Sequence, residues 1–204
     1  MKKPIAAVYG AGGQARVVGS ILRATNLEIL GYFDDAYKEN EVIQGSPLLG
    51  PFAEILEYRT SFTDVYIAIG DNAKRKSAYV FLKGHEVRLP RLIHPSVIRE
   101  KDASIGEGST ICMGSILGAE TEIGAAAIVN TGCSVDHESK VGDYSHLAPG
   151  VIVAGRTRIG NHVFVGMNST IADKLVIGDN VTIGAGSVVL RDVSDGEKLT
   201  GVYH

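Results

Sequence analysis

Apolar residues recur at every sixth position of this chain from residue 105 to residue 194. Fifteen blocks of six residues follow one another without a break in register, and each begins with Ile, Leu or Val. The fifth position is small or aliphatic, and Gly, Ala, Asn or Asp usually fills the second. A period of six fits neither a helix nor a simple alternating strand. A repeat sustained over this length is typical of a solenoid.

The period predicts a chain that turns a corner every six residues, so that three blocks, or 18 residues, close one triangular coil. One aliphatic side chain per side points inward and stacks on its equivalent in the next coil. Burial of each such side chain contributes roughly 1.5–3 kcal/mol. Small residues fit the tight corners, where Gly or Asn tolerates unusual backbone angles.

The chain before the repeat has a different pattern. Ile5–Tyr9 is a short apolar run that predicts a strand, the glycine turn 10–13 follows, and apolar spacing predicts a helix over Gln14–Ala24. A strand, a glycine turn and a helix open a Rossmann-like unit, in which the helix N-terminus favours an anion such as phosphate. Ala15 stands where the last Gly of the G-x-G-x-x-G motif is usual, a replacement that dinucleotide folds permit.

The same reasoning extends to residue 93. It predicts strands at Leu27–Phe33, Val65–Ile69 and Val87–Ile93, helices at Phe52–Tyr58 and Ala73–Lys83, and a loop with a short strand at Val42–Gly50. Asp34 and Asp35 follow the second strand, where an acidic residue either accepts a ribose hydroxyl or lies in a solvated turn. We therefore predict a small α/β domain over residues 1–92, suited to one nucleotide, and a solenoid domain of triangular coils over residues 93–204.

Composition and charge narrow the possible partners. The 204 residues carry a net charge of −3 and, apart from the trio at 74–76, no Lys/Arg cluster, which argues against nucleic acid or an anionic membrane surface as the main partner. No apolar run approaches the roughly 20 residues of a membrane-spanning helix, and the start of the chain runs straight into a strand rather than into a signal peptide. Two cysteines give no disulfide framework. We expect a cytoplasmic protein without membrane insertion.

One block of the repeat carries candidate chemistry. His137 occupies the third position of its block, so its ring is expected on the surface of the prism, with Glu138 beside it. His146 follows half a coil later, so the two histidines either meet across a subunit boundary or line opposite ends of one ligand. Cys133 is at a small corner position, which favours packing over a role as nucleophile. A lone surface histidine is usually inert, but the neighbouring carboxylate favours a function for His137.

Five motifs together support a family resemblance: GAGGQARVV at 10–18, YFDD at 32–35, AIGDN at 68–72, IHPS at 93–96 and NTGCSVDHES at 130–139. With the six-residue repeat, they resemble the hexapeptide-repeat sugar acetyltransferases related to the sialic acid O-acetyltransferases and the UDP-4-amino-sugar N-acetyltransferases. The resemblance implies a left-handed parallel β-helix and a homotrimer. It also implies acetyl-CoA bound in clefts between neighbouring subunits and a nucleotide sugar held by the N-terminal domain.

The resemblance assigns roles to individual positions. It implies that His137 is the catalytic base and that Glu138 raises its basicity. His146 would contact acetyl-CoA, and the N–H of Gly155, one coil beyond His137, would bind the thioester oxygen. The implied main-chain contacts to the CoA arm are Met167 and Ala185. The implied nucleotide-sugar pocket consists of Gly12, Gly13, Gln14, Asp34, Asp35 and Gly70.

Two positions depart from the family pattern. The family often has His where this chain has Gln14, and its usual ending Gly-Val-Pro-Ala-Lys is replaced here by Gly-Val-Tyr-His at 201–204. Elsewhere, the trio Lys74–Lys76 is expected on a solvated helix face, and His94 before Pro95 is expected to act as a hinge.

The functional hypothesis is transfer of acetyl from acetyl-CoA to the amino group of a nucleotide-linked 4-amino sugar for surface glycan synthesis. An O-acetyltransferase acting on sialic acid or a similar sugar is the close alternative. A zinc enzyme resembling the β-helical carbonic anhydrases would need His137, His146 and His162 poised between subunits, and no His/Cys/Asp cluster has metal spacing. A non-catalytic binding protein is the remaining alternative.

Overall fold

The computed structural model describes residues 4–204, which form two compact units. One unit ends at Pro95 and the other runs from Ser96 to His204, three residues later than the boundary expected from the sequence. Within the described residues, none of the helices combines the length and the apolar character needed to cross a lipid bilayer.

The first unit is a small α/β fold. Its elements in chain order are β1 (Ile5–Tyr9), α1 (Gly13–Ala24), β2 (Glu28–Phe33), β3 (Val42–Ile43), β4 (Ser46–Gly50), a 3₁₀ helix (Phe52–Tyr58), β5 (Asp64–Ile67), α2 (Asn72–Gly84) and β6 (Leu92–Ile93). Five strands form a sheet in the order β3-β4-β2-β1-β5. Among the described strands of this sheet, only the β3–β4 pair is antiparallel. The mostly parallel sheet of the predicted Rossmann-like domain is therefore confirmed.

The carboxyl ends of the central strands meet at one edge of this sheet. The Gly10 N–H donates to the Phe33 carbonyl (2.8 Å), and the Ala68 N–H donates to the Tyr9 carbonyl (2.6 Å). A Cβ on Gly10 would lie 2.5 Å from the Ala68 carbonyl oxygen, so only glycine fits where the β1–α1 turn approaches the end of β5. Open parallel sheets bind ligands at this edge.

Three predicted elements differ from the structure. The loop with a short strand expected at Val42–Gly50 contains two paired strands, β3 and β4. The strand expected at Val87–Ile93 is reduced to Leu92–Ile93, with one further sheet-like bond from the Val65 N–H to the Arg88 carbonyl (3.0 Å). Pro90 lies in the middle of this segment and has no N–H for a strand ladder, which explains the interruption. The helix expected at Phe52–Tyr58 is present as a 3₁₀ helix that begins after Pro51.

The second unit is a parallel β-helix with three faces. Face one contains β7 (Ile98–Arg99), β10 (Ile116–Leu117), β13 (Ser134–Val135), β16 (Ile152–Val153), β19 (Thr170–Ile171), β22 (Val188–Val189) and β24 (Val202–Tyr203). Face two contains β8 (Ser104–Ile105), β11 (Glu122–Ile123), β14 (Lys140–Val141), β17 (Arg158–Ile159) and β20 (Val176–Ile177). Face three includes β9 (Thr110–Ile111), β12 (Ile128–Val129), β15 (His146–Leu147), β18 (Phe164–Val165), β21 (Thr182–Ile183) and β23 (Lys198–Leu199).

The six-residue register sets which side chains are buried. Every first position from Ile105 to Val189 is buried, and every fifth position except the half-buried Leu175 is buried as well. Within the repeat, each strand pairs with the strand one coil away, as Ile116 does with Ser134. The triangular coil of 18 residues is therefore confirmed.

The corners are built differently from the expectation. Fourth positions from Gly108 to Gly186 have φ between +47° and +74°, the left-handed region, yet Glu138, Arg156 and several other non-glycine residues occupy them. From Ala126 to Gly186, their N–H groups donate to the third residue of the preceding coil, as Glu138 does to the Ala119 carbonyl (2.8 Å). Glycine at the second position allows successive coils to pack closely. A Cβ on Gly166, for example, would lie only 2.4 Å from the Ala185 nitrogen. The stacked coils thus hold backbone angles that we expected only Gly or Asn to adopt.

Candidate active site

His137 and Glu138 form the corner between β13 and β14. Glu138 has φ +58°, and its N–H is held by the preceding coil, so the backbone is fixed at this point. The His137 and Glu138 side chains are 47% and 43% exposed. Both groups therefore lie on the surface of the prism, where a ligand can reach them.

The two side chains form a hydrogen-bonded pair. His137 Nδ1 lies 3.0 Å from Glu138 Oε2, and Arg156 Nε donates to the same oxygen at 2.8 Å. Hydrogen bonds from Arg156, and then from His137, lower the pKa of Glu138, so it is a carboxylate that only accepts. Nδ1 of His137 must then carry the hydrogen. The lone pair of Nε2 is left free to accept a proton.

Gly155 lies directly against the reactive edge of this ring. A methyl group at Gly155 would stand 2.6 Å from His137 Nε2, so the residue one coil later touches the imidazole. The Gly155 N–H has no hydrogen-bond acceptor within residues 4–204. A free backbone donor next to a free basic nitrogen is suited to an acyl group, because the donor can bind the oxygen on which negative charge develops.

Met167 and Ala185 lie on a different corner, between faces three and one. Neither of their N–H groups has an acceptor in the described part of the chain, and Met167 is 55% exposed. The corner that carries His137 and Gly155 lies between faces one and two. One chain therefore does not bring the two groups of residues together, and face one separates them.

His146 is nearly buried on β15, with 8% of its surface exposed. The Asn130 side-chain amide lies 3.2 Å from His146 Nε2, and Phe164 packs edge-on against the ring at 5.4 Å. This packing leaves little ring surface for a ligand. As the half-coil spacing predicts, His146 and His137 lie on different parts of the prism.

The structure also places the residues named for the alternative zinc site and for the alternative nucleophile. His162 stacks on Tyr144 at the corner between faces two and three, away from the corner of His137. Among residues 4–204, no three His, Cys, Asp or Glu side chains are grouped closely enough to hold a metal ion. Cys133 is fully buried, its Sγ donates to the Ala148 carbonyl (3.1 Å), and burial raises its pKa to about 11.

In the first unit, Asp34 and Asp35 both hold loops at the carboxyl edge of the sheet. Asp34 accepts the Ala11 N–H (2.7 Å) and the Ala36 N–H (2.9 Å). Asp35 accepts the Phe52 N–H (3.2 Å) and the Tyr9 hydroxyl (3.3 Å). Carboxylate oxygens have further acceptor capacity, so these bonds shape the loops and still leave each aspartate able to accept from a ligand.

A cavity of about 750 Å³ opens beside these aspartates. An aromatic row forms one wall: Tyr9 stacks on Phe52 with ring centroids 3.9 Å apart, and Phe52 meets Phe81 edge-on at 5.3 Å. Lys74 and Ser77 of α2 add polar groups to the lining. Aromatic surface, carboxylates and a lysine together are suited to a planar, phosphate-bearing ligand.

The other residues assigned to the nucleotide-sugar pocket do not line this cavity. A Cβ on Gly12, Gly13 or Gly70 would meet no atom within 4 Å, so the backbone is open at all three positions. Gln14 follows at the start of α1, and its buried Nε2 atom has no hydrogen-bond partner among the described residues. The structure thus divides the predicted set into two aspartates at the cavity and four residues outside its lining, which lie at the start of α1 and in the loop before α2.

The prediction of a solvated Lys74–Lys76 trio is wrong for its middle member. Arg75 is 1% exposed, and its guanidinium donates to the carbonyls of Ile69 (3.1 Å) and Gly70 (2.9 Å) and to Asn72 Oδ1 (2.7 Å). Burial lowers its pKa to about 10. Arg75 is therefore a buried side chain that stabilises the loop between β5 and α2 through hydrogen bonds to its carbonyls.

Sequence reasoning missed Arg156 and the aromatic row. Arg156 stands 18 residues after Glu138, which places it at the same corner one coil later with opposite charge. The repeat register could have revealed this pair. Tyr9, Phe52 and Phe81 belong to three separate elements, and no local spacing in the sequence relates them.

Models of two known protein families match this chain, one in each of its two units. A model of the PglD N-terminal domain matches residues 6–81, and a model of the bacterial transferase hexapeptide with six repeats matches residues 156–191. The chain is 33% identical over 110 residues to UDP-N-acetylbacillosamine N-acetyltransferase of Bacillus subtilis (strain 168). That match spans 52% of this chain and half the length of the curated relative.

Solved structures are similar over nearly the full chain. A mutant of GDP-perosamine N-acetyltransferase from Caulobacter crescentus, with histidine replaced by alanine and in complex with CoA and GDP-perosamine, has a TM-score of 0.93 and 30% identity. The similarity covers 96% of this chain and 93% of that one. The acetyltransferase domain of PglB from Neisseria gonorrhoeae, in complex with acetyl coenzyme A, gives a TM-score of 0.93 at 29% identity, over 98% and 97% of the two chains.

Proposed function

Because this chain belongs to the family of left-handed β-helix, hexapeptide-repeat sugar N-acetyltransferases, we propose that it transfers acetyl from acetyl-CoA to the amino group of a nucleotide-linked 4-amino sugar. The relatives support this choice, since their names specify N-acetyl transfer and a GDP- or UDP-linked sugar. We place the reaction in surface glycan synthesis.

The observation that carries the proposal is the arrangement around His137. Its Nδ1 is bonded to the Glu138 carboxylate, and its free Nε2 faces Gly155, whose N–H has no acceptor among the described residues. A base and a donor on adjacent coils match the two demands of acyl transfer to an amine. One group takes the proton of the attacking amine, and the other stabilises the oxyanion.

His137 is the general base in this mechanism. Its Nε2 accepts a proton as the amine nitrogen of the sugar forms a bond to the thioester carbonyl carbon. Glu138 stabilises the imidazolium through Nδ1, as the third group of a triad does, and the Gly155 N–H binds the developing oxyanion. The imidazolium then returns its proton to the departing CoA sulfur, so that the amide and the free thiol of CoA are released.

The first unit supplies the acceptor pocket. We propose that the nucleobase packs against the aromatic wall of the cavity and that Asp34 and Asp35 accept hydrogen bonds from the nucleoside. We propose that the open backbone at Gly12, Gly13 and Gly70 and the side chain of Gln14 lie along the rest of the nucleotide sugar. In this proposal, the two aspartates that line the cavity contact the nucleoside, and the four residues outside its lining contact the rest of the ligand.

We further propose that the active enzyme is a homotrimer with acetyl-CoA between neighbouring subunits. The paired strands of face one form a column with the exposed residues Ile98, Ile116, Ile152, Val188 and Val202. Ser134 and Thr170 interrupt this column, but a largely apolar exposed column of this length is still typical of a protein interface. Face one separates the His137 corner from the corner of Met167 and Ala185, so a neighbour packed there would bring the two corners together.

We place the enzyme in the cytoplasm. Both cysteines are free thiols and are buried, which suits a reducing compartment.

The experiment is CoA thiol release from acetyl-CoA with a panel of UDP-, GDP- and dTDP-linked 4-amino sugars, with free sialic acid as control. We expect release with at least one nucleotide-linked amino sugar and an N-acetylated product by mass spectrometry. Release with free sialic acid alone would show O-acetylation instead. Binding of acetyl-CoA without turnover of any acceptor would contradict the proposal.

A further inference from the structure

Arg156 holds both members of the proposed catalytic pair. It occupies the fourth position of the same corner, one coil after Glu138. Its backbone N–H donates to the His137 carbonyl (2.8 Å), and its side-chain Nε donates to Glu138 Oε2 (2.8 Å). The residue thus fixes the main chain of one partner and the side chain of the other.

The carboxylate oxygen bound by Arg156 is the one that orients His137. Glu138 Oε2 also accepts from His137 Nδ1 at 3.0 Å, so a single oxygen links the guanidinium and the imidazole. The Glu138 side chain is 43% exposed, and water would compete for its carboxylate if nothing else held it. A charge-assisted hydrogen bond from a planar guanidinium restricts the carboxylate to one orientation.

We propose that Arg156 is a positioning residue, which holds the Glu138 carboxylate against Nδ1 of His137 and thereby keeps the proton on Nδ1 and the lone pair on Nε2. The inference rests on the proposed function, in which Nε2 is the base. In a neutral imidazole only one nitrogen carries a proton, and the hydrogen bond of the other nitrogen decides which one. A ring with its proton on Nε2 cannot accept the proton of the amine there.

The arrangement is not a general property of this corner. Lys174 occupies the equivalent fourth position one coil further, with φ +62°, but its ammonium pairs with the adjacent Asp173 (3.2 Å). Exposed ion pairs contribute little to stability. The contact between Arg156 and Glu138 therefore has its effect on the orientation of the catalytic pair rather than on folding.

The first test observes the tautomer of His137 directly and needs no substrate. The full chain, labelled with ¹⁵N-histidine, is examined by NMR as wild type, Arg156→Ala and the matched control Lys174→Ala, and the His137 signals are assigned by their loss in His137→Ala. We expect the Nδ1–H form in the wild type and in the control. We expect a substantial fraction of the Nε2–H form in Arg156→Ala. An unchanged tautomer in Arg156→Ala would overturn the proposal.

The second test is kinetic and uses the acceptor found in the panel. We expect kcat of Arg156→Ala to fall about three- to tenfold, which matches the net contribution of one ordinary hydrogen bond, because water can partly replace the exposed guanidinium. The KM values and the thermal midpoint should stay at wild-type levels. Arg156→Lys, which keeps a cationic donor, should recover at least half of the lost kcat.

The outcomes separate this inference from the proposed function. A rise in KM at unchanged kcat would make Arg156 a substrate contact and would contradict a positioning role, as would an Arg156→Lys variant no better than Arg156→Ala. If the wild type turns over no acceptor, the proposed function fails, while the NMR comparison still decides what Arg156 does to His137.

Discussion

The Cα atom of Gly155 lies so close to the His137 ring that a methyl group there would stand 2.6 Å from Nε2 and 2.7 Å from Cε1. The two residues are 18 positions apart and occupy the same corner in successive coils. Ala119 holds the equivalent position in the preceding coil, which shows that the corner itself accepts a Cβ. The missing side chain at Gly155 therefore makes room for the imidazole.

Substitution of Gly155 by alanine tests this relationship. The methyl group must displace the ring, and a displacement of about 1 Å can cost about 100-fold in rate. We expect kcat of Gly155→Ala to fall by about that factor with little change in thermal stability. The control is Gly84→Ala, where a Cβ meets no atom within 4 Å. Wild-type turnover in Gly155→Ala would show that the ring does not act from this position.

The repeat explains why so much of the second unit could be predicted from the sequence. An aliphatic residue at every sixth position suits a triangular coil, in which it points inward, and all first positions from Ile105 to Val189 are indeed buried. Glu138 and Arg156 adopt left-handed backbone angles against their own propensity, because hydrogen bonds to the preceding coil hold them there. Local preference could not predict this, since the stabilising bonds come from residues 19 positions earlier.

The error at Arg75 has a different cause. Three consecutive basic residues indicated a solvated helix face, yet Arg75 shares the buried face of α2 with Ala78 and Leu82. The spacing of three and four residues was visible in the sequence, and it would have placed Arg75 inside. What the sequence could not show is that carbonyls of the loop before α2 would satisfy the buried guanidinium.

Arg75→Ala should destabilise the first unit. The substitution removes three hydrogen bonds and a large buried side chain. We expect the free energy of unfolding to fall by about 2–4 kcal/mol, measured by urea denaturation. The neighbouring exposed residue provides the comparison, since Lys76→Ala should change stability by less than about 0.5 kcal/mol. Equal stability of both variants would contradict a clamping role for Arg75.

Cys133→Ser should leave acetyl transfer intact. The thiol is fully buried, and burial raises its pKa to about 11, so it stays protonated and unreactive through neutral pH. A serine hydroxyl can keep the hydrogen bond to the Ala148 carbonyl. We expect kcat within about twofold of wild type, since no covalent step uses this side chain. An acetyl adduct on Cys133 in the wild type, detected by mass spectrometry, would refute this.

Ile152→Lys tests the proposed assembly through face one. Lysine places a charge in the middle of the apolar column, and burying an unpaired charge in an interface is strongly unfavourable. We expect light scattering to give the mass of three chains for the wild type and for Ile152→Val, and the mass of one chain for Ile152→Lys. Acetyl transfer should be lost together with the trimer. A fully active monomer would show that one chain contains the whole site.

The most direct test of the central claim is turnover by His137→Ala, because the mechanism assigns proton removal to this one side chain. We expect a loss of about 100- to 10,000-fold in kcat, with acetyl-CoA binding by calorimetry unchanged and with His162→Ala as a fully active control. Near-normal turnover in His137→Ala would contradict the assignment of His137 as the base.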